Sequence, residues 1–152
     1  MGRLLGIAIR NAPWALMETM DSALVTPVSG VEGDCRGQLG SRQVTVLAKE
    51  AWAAACKNLQ VELPWTTRRA NLFITGIALE GTTRQILRIG RVDLEITGET
   101  DPCRVMDLQY AGLRRALTPS WRGGVTCRVL TEGRIQIGDE VQLLLTRGTN
   151  ES

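Results

Sequence analysis

A mainly β fold, a partly closed barrel carrying two or so short helices, is predicted by three observations. Short apolar or alternating runs recur along most of the chain. Glycine-containing turns separate several of them at close intervals. Only two segments show helical spacing, which points to a barrel with helical insertions. The length of 152 residues suits one domain, assigned to residues 1–146, with a flexible tail expected at 147–152.

Leu4 to Ile9 is the first apolar run. Arg42 to Leu47 alternates apolar and polar residues, the period-2 signature of a half-buried strand. Trp52, Ala55, Cys56 and Leu59 then fall on one face of a helix. The stretch from Leu63 to Leu72 leads into a strand at Phe73-Ile74-Thr75. Ile86 to Val92 reads as a tight hairpin into a second alternating run, Val92 to Thr97. A second helix is marked by Met106, Tyr110, Leu113 and Leu117, with Gly112 as an interruption. Asp101 reads as its N-cap and Pro102 as its first residue. Val125 to Leu130, Arg134 to Ile137 and Glu140 to Leu145 close the chain as three short strands. Glu132-Gly133 and Gly138-Asp139 separate them.

Composition excludes several functions. The chain has no histidine, which removes Ser-His-Asp and Cys-His catalysis and every histidine-ligated metal site. No apolar stretch approaches the ~18 residues of a membrane span, and the N-terminus lacks a leader-like run. A net charge of +2 and 4% aromatic residues argue against nucleic acid. Of 18 basic residues only Lys49 and Lys57 are lysines, so the basic chemistry is that of arginine, whose planar fork grips phosphate or carboxylate.

The four cysteines are Cys35, Cys56, Cys103 and Cys127, none at the CxxC spacing of a zinc ribbon or redox motif. Without a leader they suggest a reducing, cytoplasmic setting. Cys56 falls on the helix stripe and Cys127 alternates with Val125 and Val129, so both read as core. Cys35 lies in a loop. Cys103 is expected in the first turn of the second helix, where unpaired N–H groups favour a thiolate, while Glu99 and Asp101 oppose it. A thiolate is a soft metal ligand. In Thr66-Thr67-Arg68-Arg69-Ala70-Asn71, two hydroxyls, a guanidinium and an amide make a candidate phosphate cradle. On an extended backbone the adjacent arginines point apart, so at most one faces a site. Gly123-Gly124 permits close backbone approach.

Five segments together resemble the MOSC domain, the C-terminal part of molybdenum cofactor sulfurases. They are Gly30-Val31-Glu32-Gly33-Asp34 with Arg42-Gln43-Val44, Arg68-Arg69-Ala70-Asn71-Leu72, Glu95 to Cys103, Trp121 to Val125, and Gly138-Asp139-Glu140-Val141. The resemblance implies a MOSC or PK-barrel-like fold and one characteristic cysteine, here Cys103, that ligates molybdenum or carries sulfur. It implies molybdenum cofactor (molybdopterin), a group easily lost on purification, with Arg69 and Asn71 at its phosphate and Thr67 beside them. Asp34, Arg36, Arg42 and Arg122 are further lining candidates. One familiar form has Arg-His after Gly-Asp, where this chain has Cys35-Arg36. The chain shows neither the N-terminal partner domain of the mitochondrial amidoxime-reducing enzymes nor the pyridoxal-phosphate domain of the sulfurases.

The implied activity is reduction of small N-hydroxylated bases or related N–O compounds, with electrons from a separate reductase. The alternatives are a sulfur (persulfide) or cofactor carrier using the same cysteine with a donor or acceptor protein, and a partner-binding barrel with a degenerate site.

Overall fold

The strand patterns close into a barrel in the computed structural model, which describes residues 1–145. The expected tail at 147–152 lies outside the described residues. The strands are β1 (Gly2–Ile9), β2 (Glu18–Met20), β3 (Ser22–Thr26), β4 (Gly30–Val31), β5 (Val44–Ala48), β6 (Leu72–Thr75), β7 (Ile86–Ile89), β8 (Val92–Glu99), β9 (Val125–Val129), β10 (Gly133–Gln136) and β11 (Glu140–Leu144). The helices are α1 (Lys49–Leu59), α2 (Val105–Gln109) and α3 (Leu113–Leu117), with 3-10 turns at Trp65–Arg68 and Pro119–Trp121.

Seven strands run around the barrel in the order β11, β7, β8, β9, β5, β6, β1. Pairing of Gly2 with Val141 and of Arg3 with Glu140 joins β1 to β11 and removes the free edges. The expected barrel with its few short helices is thus present; its closure is complete, and the helices among the described residues are three. β2 extends outward from β1, and β3, β4 and β10 form a separate three-stranded sheet. The pairs are antiparallel except β5 with β6, which are joined through α1 as parallel strands require.

The alternating runs face inward as their period requires. Val92, Leu94 and Ile96 of β8 are buried, while Asp93, Glu95 and Thr97 are half-buried. They join Leu4, Ile7, Val46, Leu72, Leu87 and Cys127 in the barrel core. A second apolar cluster lies outside the barrel wall, where Leu47, Trp52, Ala55 and Cys56 meet Met106, Leu113 and Leu117. That cluster holds α1 against α2 and α3. Both core assignments among the cysteines hold: Cys56 and Cys127 are buried, and complete burial pushes the Cys127 thiol pKa upward.

The second expected helix is two helices. Gly112 takes φ +88 at the start of α3 and breaks the run after Gln109. The expected start also shifts. Asp101 and Pro102 lie in a loop, Arg104 is the residue at the cap, and Cys103 stands just before α2 rather than within its first turn. Three short strands, β2, β3 and β4, carry too little periodicity to be read from the sequence alone.

Candidate functional site

A cleft of about 330 Å³ opens where loops from four parts of the chain meet. Its walls come from the segment after β1, the loop before β5, the turn entering β6, and the stretch from β8 into α2. Five arginines line it: Arg10, Arg36, Arg42, Arg68 and Arg69. Asp34 and Asp101 are its carboxylates, and Cys103, Thr100, Thr45, Asn71 and Trp14 also line it. Among the described residues the ion pairs are Arg88–Asp93 and Arg128–Glu95, so none of the five cleft arginines has an acidic partner. The cleft thus carries an excess of positive charge.

The turn entering β6 decides how the arginines point. Trp65–Arg68 is a 3-10 turn, and Arg69 follows it in the left-handed region at φ 66 and ψ 32. This is not the extended backbone expected there, and both Arg68 and Arg69 line the cleft. Arg69 Nη2 donates to the carbonyls of Pro13 (3.2 Å) and Ala15 (2.8 Å), fastening the loop that bears Trp14. Its Nε is buried without a hydrogen-bond partner among the described residues. Burial, followed by the charge of Arg10, lowers the Arg69 pKa, and Cys35 acts in the opposite direction.

Arg68 is the functional candidate that sequence reasoning did not assign. It is only 8% exposed. Its Nε donates to the Gly123 carbonyl at 3.0 Å and its Nη2 to the Thr100 carbonyl at 3.2 Å. Its Nη1 reaches only the Met106 thioether, at 3.6 Å. Burial lowers its pKa to about 10; the sulfur of Cys103 opposes that fall, and the charge of Arg42 adds to it. The sequence signal was the Gly123-Gly124 pair. A Cβ at Gly123 would lie 2.6 Å from the Thr100 oxygen and 3.2 Å from Arg68 Nη2, so this backbone makes room for the guanidinium.

Asn71 sits in the cleft wall, but its amide is engaged. Its Oδ1 accepts the Thr45 N–H at 3.0 Å and its Nδ2 donates to the Ala8 carbonyl at 3.2 Å. It ties β1, β5 and the start of β6 together beneath the arginines. Asp34 is engaged as well: its two oxygens accept the backbone N–H groups of Arg10 (3.0 Å) and Arg36 (3.1 Å). Gln43 anchors the same loop from inside, donating to the carbonyls of Pro27 and Gly37 and accepting from the Val129 N–H.

Cys103 is exposed and lines the same cleft as Arg69. Arg36 and Arg42 are exposed and stand on the rim. Thr67 and Arg122 do not line the cleft. Thr67 is held within the 3-10 turn, its N–H donating to Pro64 at 2.9 Å. Arg122 donates to the Ala116 carbonyl at 3.0 Å, at the end of α3. The cradle expected from Thr66 and Thr67 is therefore not formed, because the turn directs the arginines inward instead. Among the described residues no three His, Cys, Asp or Glu side chains cluster to hold a bare metal ion, so a metal here would need ligands of its own.

A family model described as MOSC domain matches residues 28–142. The YUAD protein of Bacillus subtilis has a similar fold, with TM-score 0.80 and 18% identity over 97% of this chain and 98% of that one. YiiM of Geobacillus stearothermophilus matches with TM-score 0.73 and 15% identity, covering 95% of this chain and 75% of its own. YiiM of Escherichia coli matches with TM-score 0.69 and 14% identity, covering 93% of this chain and 69% of its own. No curated protein matches by sequence. Among the described residues no helix is long and apolar enough to cross a membrane.

Proposed function

The chain belongs to the MOSC domain family, and from that premise we propose that residues 1–146 form a domain that binds molybdenum cofactor and reduces small N-hydroxylated bases or related N–O compounds. The observation that supports this reading most is the joint lining of one cleft by the exposed Cys103 and the arginines at 68 and 69. A pterin dithiolene needs a soft protein ligand at one end and a cation at the other.

The residues present fit such a group. Among the described residues two buried polar atoms, Thr100 Oγ1 and Arg69 Nε, have no partner, and both residues line the cleft. A buried polar atom left unpaired costs about 1–3 kcal/mol, so each favours an incoming polar group. The volume of about 330 Å³ lies in the range of small-molecule sites.

Cys103 would supply the thiolate ligand to molybdenum. Arg69, with Asn71 behind it and Arg36 and Arg42 on the rim, would hold the anionic phosphate. Asp34, in the cleft wall, holds its loop in shape, while Thr67 and Arg122 act behind the cleft surface at the turn and the helix end. When bound, the group supplies two-electron redox chemistry, with electrons from a separate reductase. Trp14 at the mouth offers a flat apolar face to an incoming base. The four free thiols suit a cytoplasmic, reducing setting.

The exposure of Cys103 also favours a second reading, a carrier that passes sulfur from this cysteine to a partner protein. One experiment separates them. Protein made in a molybdate-fed, cofactor-competent host is assayed for molybdenum, cyanide-releasable sulfur and N-hydroxy reduction. The reductase reading expects about one molybdenum per chain, with Cys103→Ser abolishing reduction while the fold persists. Full activity in that variant removes Cys103 as the ligand. Sulfane sulfur without molybdenum favours the carrier.

A further inference from the structure

Arg68 is a buried cation without an acidic partner among the described residues, and that imbalance has a definite location. A guanidinium carries five N–H bonds. Arg68 places one on the Gly123 carbonyl, one on the Thr100 carbonyl and one on a thioether, which is a weak acceptor. Two of its N–H bonds have no protein acceptor among the described residues. Thr100 is only 7% exposed, and its hydroxyl has no partner among the described residues. The Thr100 carbonyl that accepts from Arg68 belongs to the same residue as that unpaired hydroxyl, so the two donors stand close in one wall of the cleft. Arg42 adds a third element, a rim charge near enough to act on Arg68.

We propose that Arg68 and the Thr100 hydroxyl form a built pocket for a tetrahedral oxyanion, with Arg42 closing it from the rim. A tetrahedral anion accepts from several directions at once. It would meet the spare guanidinium N–H groups and the free hydroxyl, and would supply the missing negative charge. Asp101 opposes it, but it is exposed and shares the cleft with five arginines. Arg69 flanks this pocket and adds its charge and its unpaired Nε to the hold on the anion, its Nη2 being committed to the Pro13 and Ala15 carbonyls. This inference deepens the cofactor reading and rests on it for the ligand's origin. The oxyanion is either the phosphate ester of the cofactor or an oxo-metal end such as molybdate presents.

The test uses full-length protein from a host unable to make the cofactor, titrated calorimetrically at low salt with inorganic phosphate and separately with molybdate. The expected result is one saturable site. Thr100→Val keeps the shape and removes only a hydroxyl that has no protein partner, so a merely structural residue would leave binding unchanged. About tenfold weaker binding is expected instead. Arg68→Met abolishes binding, Arg68→Lys restores part of it, and Arg128→Gln, outside the cleft, leaves it intact. Circular dichroism checks folding, and Thr100→Val keeps the test decisive if Arg68→Met does not fold. Tighter binding of phosphate assigns the pocket to the ester end, and tighter binding of molybdate assigns it to the metal end. Failure to bind either anion, or equal binding by wild type and Thr100→Val, overturns the proposal. Protein that binds an anion here but never loads molybdenum in a competent host retains the pocket and loses the cofactor reading. Protein that loads molybdenum but binds neither anion does the reverse.

Discussion

Asn71 and Thr45 exchange hydrogen bonds in both directions. The Thr45 N–H donates to Asn71 Oδ1 at 3.0 Å, and the Asn71 N–H donates to Thr45 Oγ1 at 3.0 Å. The pair sits where the parallel strands β5 and β6 begin, and Asn71 Nδ2 extends it to the Ala8 carbonyl of β1. Asn71→Ala leaves the Thr45 N–H and the Ala8 carbonyl unsatisfied. A loss of about 2–4 kcal/mol in stability is expected, since each buried unpaired group costs about 1–3 kcal/mol. Urea unfolding measures it, and an unchanged midpoint would remove Asn71 from the framework of the site.

Gly124 lies at φ +94, and a Cβ there would stand 2.1 Å from the Val46 carbonyl oxygen. That atom belongs to the barrel wall and cannot swing aside. Gly124→Ala should therefore cost about 2 kcal/mol or more from overpacking and the left-handed backbone together. Thermal unfolding reads the effect, and a melting temperature equal to that of wild type would refute the close approach.

Arg69 holds the Trp14 loop through the Pro13 and Ala15 carbonyls. Arg69→Met should raise amide hydrogen exchange across residues 11–17 and leave the barrel strands protected. Time-resolved anisotropy of a variant in which Trp14 is the sole tryptophan should show faster local motion. Unchanged exchange in the loop would mean that other contacts hold it.

The thiols should separate by burial. Cys103 is exposed and Cys35 half-buried, whereas Cys56 and Cys127 are buried. Iodoacetamide at neutral pH should label Cys103 first, with Cys127 last. Burial raises the Cys127 pKa, so the thiol form persists as the pH climbs through the ordinary cysteine range. For an acid the sign is definite: a folded-state pKa above the unfolded one means that unfolding releases a proton there, and stability falls once the pH exceeds the unfolded value. Mass spectrometry after labelling at pH 7 and pH 9 tests both points, and early labelling of Cys127 would contradict its burial.

A milder effect belongs to Glu99, whose pKa is raised by burial first and then by Asp101 and Glu80. Its charged form is disfavoured in the folded state, so its contribution to stability improves as the pH falls through the folded value and is lost again as the pH rises past it. Glu99→Gln should therefore gain slightly at neutral pH and flatten the acid side of the stability profile. Thermal melts between pH 4 and pH 8 are the measurement, and a loss of stability at neutral pH would reverse the assignment.

Much of the barrel was legible because its signals are local. The alternation in Val92 to Thr97 and the Gly138-Asp139 turn need only a few neighbouring residues to declare themselves. The burial of Cys127 followed from the same alternation, and the shared cleft of Cys103 and Arg69 was legible only through family resemblance. The misreadings have a common source. The second helix had a periodic stripe, but the left-handed φ of Gly112 split it. The adjacent arginines looked divergent because extended backbone was assumed, whereas a 3-10 turn and a left-handed Arg69 precede β6.

By itself the sequence determined a strand-rich barrel, the absence of histidine chemistry, the core cysteines, and several of the residues that line the cleft. The tertiary structure alone decided that β1 meets β11, that Arg68 is buried against the carbonyls of Thr100 and Gly123, and that the Thr100 hydroxyl is left free. The reason is physical. Period and turn chemistry act over a few residues, but burial and the pairing of a charge depend on which distant backbone groups the closed barrel brings beside it.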